Sequence, residues 1–188
     1  MRCTSATLAA TAFLLGTAAV VDIGRSDGPQ TTRSPAKVDR WESWRPLVGN
    51  WEGRSEGRPG IGTVKFSVVF VLDERYLRTT TSADYKTDKG GEHHEDFGFV
   101  SFDRMRSKFV YRQFHAEGFV NQYTLTTNPK TDGKIELTSE SCENAPLGWK
   151  ARETYKLTGD TLEHTFELAA PGKPFERYTA ATLKRQKQ

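Results

Sequence analysis

Apolar and polar residues alternate along most of this chain, a pattern that predicts β-strands. One face of the segment from Val64 to Leu72 is apolar throughout, and Lys65 and Ser67 lie on the other face. The residues of the apolar face are Val64, Phe66, Val68, Phe70 and Leu72. Similar segments follow, separated by turn clusters such as Asn128–Gly133 and Thr158–Asp160. With a glycine-rich strand near residue 50, the pattern predicts about ten strands. The other nine are residues 61–72, 75–83, 95–102, 108–115, 118–127, 134–141, 150–157, 161–168 and 176–183.

The order of these strands predicts an all-β, antiparallel up-and-down β-barrel. Short turns connect neighbours, and no helical pattern between them is long enough for a crossover. Closing such a meander removes its edges, whereas a β-sandwich, the alternative, would keep them. Before the strands, Val38, Trp41, Trp44 and Val48 have helical spacing and Pro46 ends the pattern. We therefore expect one short N-terminal helix at the barrel mouth.

The segment from Leu47 to Gly57 predicts the strand that organises the barrel. Gly49, Trp51, Gly53 and Gly57 fall on one face at even spacing. Glycine inside a strand marks a bulge, a corner or a close approach of backbones. The pattern therefore indicates a sharply bent strand in which Trp51 closes the base of the barrel.

The N-terminal segment differs in composition from the rest. Arg2 is the only charged residue before Asp22, and residues 8–21 form an apolar run too short for a comfortable membrane span. This predicts a signal peptide over residues 1–19, with an uncleaved anchor as the alternative. Residues 20–38 are polar and predict a flexible leader. The barrel domain is expected at 39–188, secreted or periplasmic, with no membrane span in the mature chain.

Composition and motifs exclude several functional classes. The net charge is +3 and there is no long basic run, so we expect no nucleic-acid partner. The signal peptide would remove Cys3 and leave Cys142 without a disulfide partner. Adjacent strand residues point to opposite faces, so His93 and His94 cannot readily share an ion. We interpret His93–Asp96 as a solvated turn and predict no metal site.

Two polar residues fall on apolar faces of neighbouring strands. His164 alternates with Leu162 and Phe166, and Glu153 alternates with Ala151 and Tyr155. The hairpin at Thr158–Asp160 allows two registers: one sets Glu153 opposite His164, and the other sets it opposite Phe166. The pair is either a satisfied core contact or a general acid–base site.

Further polar candidates lie on strands with mixed faces. If they point inward, arginine and tyrosine side chains can bind a carboxylate through paired hydrogen bonds. The candidates are Arg78, Tyr111, Arg112 and Tyr123.

The predicted helix, the Gly-x-Trp-x-Gly-x-x-x-Gly strand and the run of antiparallel strands resemble calycin-like small barrels. Among these, the chain looks most like the nitrobindin-type haem-binding barrels and related secreted bacterial barrels. The residues that carry this resemblance are Leu47, Gly49, Trp51, Gly53 and Gly57. The resemblance implies an apolar cavity that opens at one end.

The resemblance also implies where a haem ligand would lie. In nitrobindin-type proteins a histidine near the C-terminal strand ligates the iron, but residues 173–183 of this chain contain no histidine. Tyr178 or Arg177 falls at that place, and a tyrosinate can ligate haem iron. The missing histidine argues against a haem cofactor. The chain would bind haem as nitrobindin-type proteins do only if Tyr178 replaces that histidine.

These observations favour binding over catalysis. The first hypothesis is a barrel that holds a small apolar, lipid-like ligand without a cofactor, with pocket polarity from His164, Glu153, Tyr111 and Arg112. The second is a nitrobindin-like haem protein that uses Tyr178 or His164. The third is a lumen enzyme that uses His164 and Glu153 as an acid–base pair.

Overall fold

A computed structural model describes residues 39–87 and 90–187 of the chain. The predicted signal peptide (1–19) and the predicted leader (20–38) lie outside these residues, so both stay predictions. Within the described ranges, no helix has the length and apolar character needed to cross a membrane.

The described chain folds into a closed antiparallel barrel of ten strands in consecutive order, which confirms the predicted fold class. The last strand pairs with the first, so closure joins β10 to β1. A single turn of helix, α1 (Pro129–Asp132), lies between β6 and β7. The strands are β1 (Gly49–Gly57), β2 (Gly60–Val71), β3 (Tyr76–Thr87), β4 (Gly90–Asp103), β5 (Lys108–His115), β6 (Val120–Leu125), β7 (Ile135–Glu143), β8 (Lys150–Thr158), β9 (Thr161–Ala169) and β10 (Glu176–Arg185).

The hairpin of β3 and β4 is longer than the sequence predicts. The sequence predicts strands that end at residue 83 and begin again at residue 95, yet nearly all of the polar stretch from Asp84 to Glu92 between them continues the two strands. Ala83 and Tyr85 are buried while Asp84 is exposed, so inward and outward side chains still alternate although this stretch is mostly polar. As a consequence, His94 lies inside a strand and not in a solvated turn, which corrects that interpretation.

Aromatic side chains fill one end of the barrel. The predicted helix is a three-residue 3-10 turn (Arg45–Leu47), with Pro46 in its first turn. Trp41 and Trp44 precede it and are buried, and their rings lie 5.0 and 5.4 Å from the ring of Phe109. Strand turns alternate between the two ends of an up-and-down barrel, so the opposite end carries the β5–β6 and β9–β10 turns. These tryptophans therefore close one end and leave the cavity to open at the other.

The glycine strand β1 closes the barrel as its pattern predicts. Trp51 is 1% exposed, and its indole nitrogen donates a hydrogen bond to the carbonyl oxygen of Leu47 at 2.8 Å. The guanidinium of Arg185 on β10 covers the indole at 4.1 Å. At Gly53, a Cβ atom would lie 2.0 Å from the carbonyl oxygen of Thr182 on β10. Only glycine therefore permits this approach of β1 to β10.

We expect Gly53→Ala to lower the free energy of unfolding by about 3 kcal/mol, because the added methyl forces two strands apart where the barrel closes. Gly91→Ala is the matched control: its Cβ would meet the carbonyl oxygen of Tyr85 at 3.7 Å, an ordinary contact. The control should change stability by no more than about 0.5 kcal/mol. Urea denaturation followed by tryptophan fluorescence measures both, and equal midpoints for the two variants would contradict the prediction.

Candidate functional site

A cavity of about 400 Å³ runs into the barrel from the end opposite the tryptophans. This volume lies within the range of small-molecule sites, which is roughly 300–1,000 Å³. Most of the wall is apolar, as expected, and aromatic rings occur both inside and at the mouth. The ionisable residues of the lining concentrate on two parts of the wall, one deep and one at the mouth. The chain is therefore a barrel with an internal ligand cavity.

Glu153 and His164 form the deep polar contact. Glu153 pairs with Phe166 across β8 and β9, which is the second of the two predicted registers. His164 lies two residues before Phe166 on the same face of β9, so it is the diagonal neighbour of Glu153, and a long side chain spans this distance. His164 Nε2 therefore hydrogen-bonds Glu153 Oε2, and the imidazole stacks on Tyr155 with ring centres 4.7 Å apart. Glu153 is 2% exposed, and this imidazole is the hydrogen-bond partner of its buried carboxylate.

The Glu153 carboxylate controls the protonation of His164. Burial lowers the pKa of His164, but the negative charge of Glu153 and the hydrogen bond to it raise that pKa, and the net change is upward. The imidazole nevertheless lines the cavity. A ring that keeps its proton inside a cavity can donate that proton to a bound molecule.

A second cluster lies at the cavity mouth and was not predicted. Its members are His94 and Asp96 on β4, His115 at the end of β5 and Glu117 in the following turn, and we call it the mouth cluster. His94 Nδ1 lies 2.6 Å from Glu117 Oε1, and His94 Nε2 lies 3.4 Å from Asp96 Oδ2. The spacing of His94 and Asp96 by two residues was a signal that both share one strand face.

The two imidazoles of the mouth cluster differ electrostatically. The hydrogen bond to Asp96 raises the pKa of His94 to about 9, helped by Glu117 and opposed by burial. Burial lowers the pKa of His115, although nearby carboxylates oppose that effect. Asn121 Nδ2 lies 3.1 Å from His115 Nε2 and fixes the orientation of that ring. At neutral pH the cluster thus pairs one cationic ring with one neutral ring.

Tyr178 lies on the opposite side of the barrel, since β10 and β5 are five positions apart in the ring of ten strands. It is half-buried and lines the cavity, with its ring edge-to-face against Phe166 at 5.8 Å. Its hydroxyl has no hydrogen-bond partner within the described ranges. Burial raises the pKa of Tyr178. Arg177, the other residue considered at this place, is exposed.

Three of the predicted site residues point inward but support the cavity without lining it. Tyr111 and Tyr123 stack on each other at 5.6 Å and are almost fully buried. The Tyr111 hydroxyl lies 3.0 Å from Thr79 Oγ1, and the Tyr123 hydroxyl donates to Gln113 Oε1 at 3.0 Å. With Trp51 they belong to the filled end of the barrel. Their polar atoms are thus satisfied within the protein.

Two of the predicted site residues lie on the outside. Arg78 and Arg112 are both exposed, and the Arg112 guanidinium contacts Ser101 Oγ at 3.4 Å on the outer face. Position parity in β3 and β5 puts Leu77 and Tyr111 inward, so their neighbours must point out. The expectation that these arginines line the pocket is therefore corrected.

Comparison with known proteins agrees with the observed fold. The chain is 26% identical over 155 residues to peroxynitrite isomerase 2 of Mycobacterium bovis (strain BCG / Pasteur 1173P2), covering 76% of this chain and 92% of the relative. The same values hold for peroxynitrite isomerase 1 of Mycobacterium tuberculosis (strain ATCC 25618 / H37Rv). The crystal structure of Rv2717c from M. tuberculosis superposes with a TM-score of 0.59 at 23% identity, covering 78% of this chain and 97% of that one.

A family profile covers most of the barrel. Residues 41–185 match the THAP4-like, heme-binding beta-barrel domain, a range that begins at the first buried tryptophan and ends with β10. This match agrees with the resemblance that the glycine-tryptophan strand carries. The chain therefore belongs to the family of THAP4-like, haem-binding β-barrel domains.

Proposed function

We propose that the cavity binds haem, and that Tyr178 presents its oxygen to the iron. The observation that carries this proposal is Tyr178, which lines the cavity and whose hydroxyl has no hydrogen-bond partner among the described residues. It occupies the place on the C-terminal strand where the resemblance implies a histidine ligand. Family membership supports haem over a lipid-like ligand.

The residues around the cavity fit a flat, mostly apolar ligand with acidic groups at one edge. Phe166 lies deep in the wall, and Phe119 and Trp149 lie near the mouth, so rings are available to pack against a macrocycle. Lys150 lines the mouth, where its positive charge suits a carboxylate. Haem would supply an iron centre that reacts with small oxidants, and the protein would supply its placement and shielding.

Titration of the described domain with hemin, followed by visible absorbance, tests this proposal. We expect saturable binding near one equivalent in the wild type. Tyr178→Phe should weaken binding by at least about tenfold, because it removes the oxygen that would ligate the iron while keeping the ring. Chelator-treated protein should be used, so that no other metal occupies the cavity.

Tyr76→Phe is the matched control, since it deletes a hydroxyl from an exposed tyrosine outside the cavity. It should bind hemin as the wild type does. A linear absorbance rise without saturation would overturn the proposal. If hemin binds saturably and Tyr178→Phe binds it equally well, the cavity binds haem but another residue ligates the iron.

A second candidate function rests on the contact between Glu153 and His164. The mycobacterial relatives are named peroxynitrite isomerases, and we propose that this chain also acts on a small oxidant of that kind. Within this chain, Glu153 would hold the Nε2 proton of the cationic His164 ring, which would leave the Nδ1 proton for a bound molecule. Such a group is placed to act as a general acid.

If His164 acts in this way, His164→Gln should slow peroxynitrite decay in the hemin-loaded protein by about 100-fold, the lower range for loss of a general acid. Stopped-flow absorbance measures the decay. His93→Gln, which alters an exposed imidazole on the outer face of β4, is the control and should leave the rate unchanged. Equal rates in wild type and His164→Gln would exclude this role.

The pair also makes a prediction about stability and pH. Because the pKa of His164 is raised in the folded state, the stability from its protonated ring is fully present below an unfolded pKa of about 6.5. That contribution is lost as the pH rises through the folded-state pKa. The destabilisation caused by His164→Gln, measured by urea denaturation, should therefore shrink as the pH rises. The pH dependence should vanish in a Glu153→Gln background, and a constant difference in the wild-type background would contradict the prediction.

A further inference from the structure

We propose that His94, His115 and Glu117 form a binding site for a divalent transition-metal ion of the zinc class at the cavity mouth. One nitrogen from each imidazole and one carboxylate oxygen of Glu117 lie within 4.8 Å of one another. Ligand atoms this close can converge on one ion with small side-chain adjustments. The site is separate from Tyr178 and does not rest on haem binding.

The barrel itself brings these residues together. Asp96 pairs with His115 across β4 and β5, and the backbone nitrogen of Ala116 donates to the carbonyl oxygen of Glu95. Residues two apart share a face, so His94 and Asp96 lie on the same inner face of β4. Glu117 follows His115 by two residues and reaches His94. Neighbouring backbone hydrogen bonds therefore hold the arrangement.

Asp96 provides an independent reason to expect a cation. Its side chain is 5% exposed, and its Oδ1 atom has no hydrogen-bond partner among the described residues. Within the part of the chain that the structure describes, the one contact of its other oxygen is the long one of 3.4 Å to His94 Nε2. Leaving a buried carboxylate oxygen unpaired is unfavourable, because the oxygen loses its hydrogen bonds to water and gains none within the protein. A bound cation beside Asp96 would supply the missing partner.

The charge of the cavity wall points the same way. The described lining carries four carboxylates, Glu92, Asp96, Glu117 and Glu153, against one lysine, Lys150, and the protonated rings of His94 and His164. In a partly enclosed site the remaining excess of negative charge attracts cations. A divalent ion at the mouth cluster would offset it and would leave a coordination position for a molecule in the cavity.

The donor types select the class of metal. Two imidazoles with one carboxylate form the ligand set of open zinc sites, whereas magnesium and calcium prefer oxygen donors alone. Asn121 orients the His115 ring, and Asp96 adjoins His94, as outer groups do around metal-ligating histidines. The site therefore has both the ligands and the supporting contacts that a zinc-class ion requires.

Isothermal titration of the chelator-treated, haem-free chain with zinc chloride tests the proposal. We expect one equivalent to bind saturably in the wild type. His94→Ala should weaken binding by at least about 100-fold, since it removes a ligand and not merely an outer group. His93→Ala is the matched control: this neighbouring imidazole contacts Asp84 and Glu95 on the outer face. It should bind zinc with wild-type affinity.

Two further variants keep the test decisive if His94→Ala does not fold. Glu117→Gln alters a turn residue with an exposed side chain and should also weaken zinc binding by at least about tenfold, as should Asp96→Asn. Tyr178→Phe should leave zinc binding intact, which separates this site from haem binding. Absence of saturable binding, or equal affinity in wild type and Glu117→Gln, would overturn the proposal. Loss of binding in His93→Ala alone would assign the ion to the outer face.

Discussion

The closure of β1 onto β10 is the constraint on which the rest of the structure depends. At Gly53 the backbones of β1 and β10 approach so closely that no side chain fits. At Gly57 an added Cβ atom would likewise collide with the carbonyl oxygen of Tyr178. Without this seam the ten strands would leave two open edges, and an open sheet has no interior. Closure converts alternation along each strand into an inside and an outside. It also sets β10, which carries Tyr178, directly beside the glycine strand.

One end of the barrel is packed with side chains that stabilise the fold, and the other end carries the cavity. Trp41, Trp44 and Phe109 fill one end, and behind them the stacked tyrosines Tyr111 and Tyr123 satisfy their hydroxyls within the protein. A packed end of this kind can stabilise a cavity at the other end, where side chains do not meet. The deep Glu153–His164 contact lies between the two, so its buried charge is held by well-packed neighbours.

Polar groups on the inner face give the cavity its chemistry. The Glu153–His164 pair and the mouth cluster both combine imidazole with carboxylate, but they lie on different walls of the cavity. They also differ in whether every carboxylate has a hydrogen-bond partner. Glu153 has its partner in His164, whereas one oxygen of Asp96 has none among the described residues. Tyr178 faces the mouth cluster across the cavity. A ligand that enters the barrel would therefore meet a phenol on one side and imidazoles on the other.

The sequence by itself determined the fold class, the strand count, the role of the glycine strand and the inward direction of Glu153 and His164. These follow from local alternation and from glycine spacing, which act over a few residues. The tertiary structure decided the register of the β8–β9 hairpin, the outward placement of Arg78 and Arg112, and the mouth cluster. His94 and His115 lie 21 positions apart in the sequence. They meet because β4 begins at Gly90, five residues before the predicted start of this strand, and because the β4–β5 register sets Asp96 opposite His115.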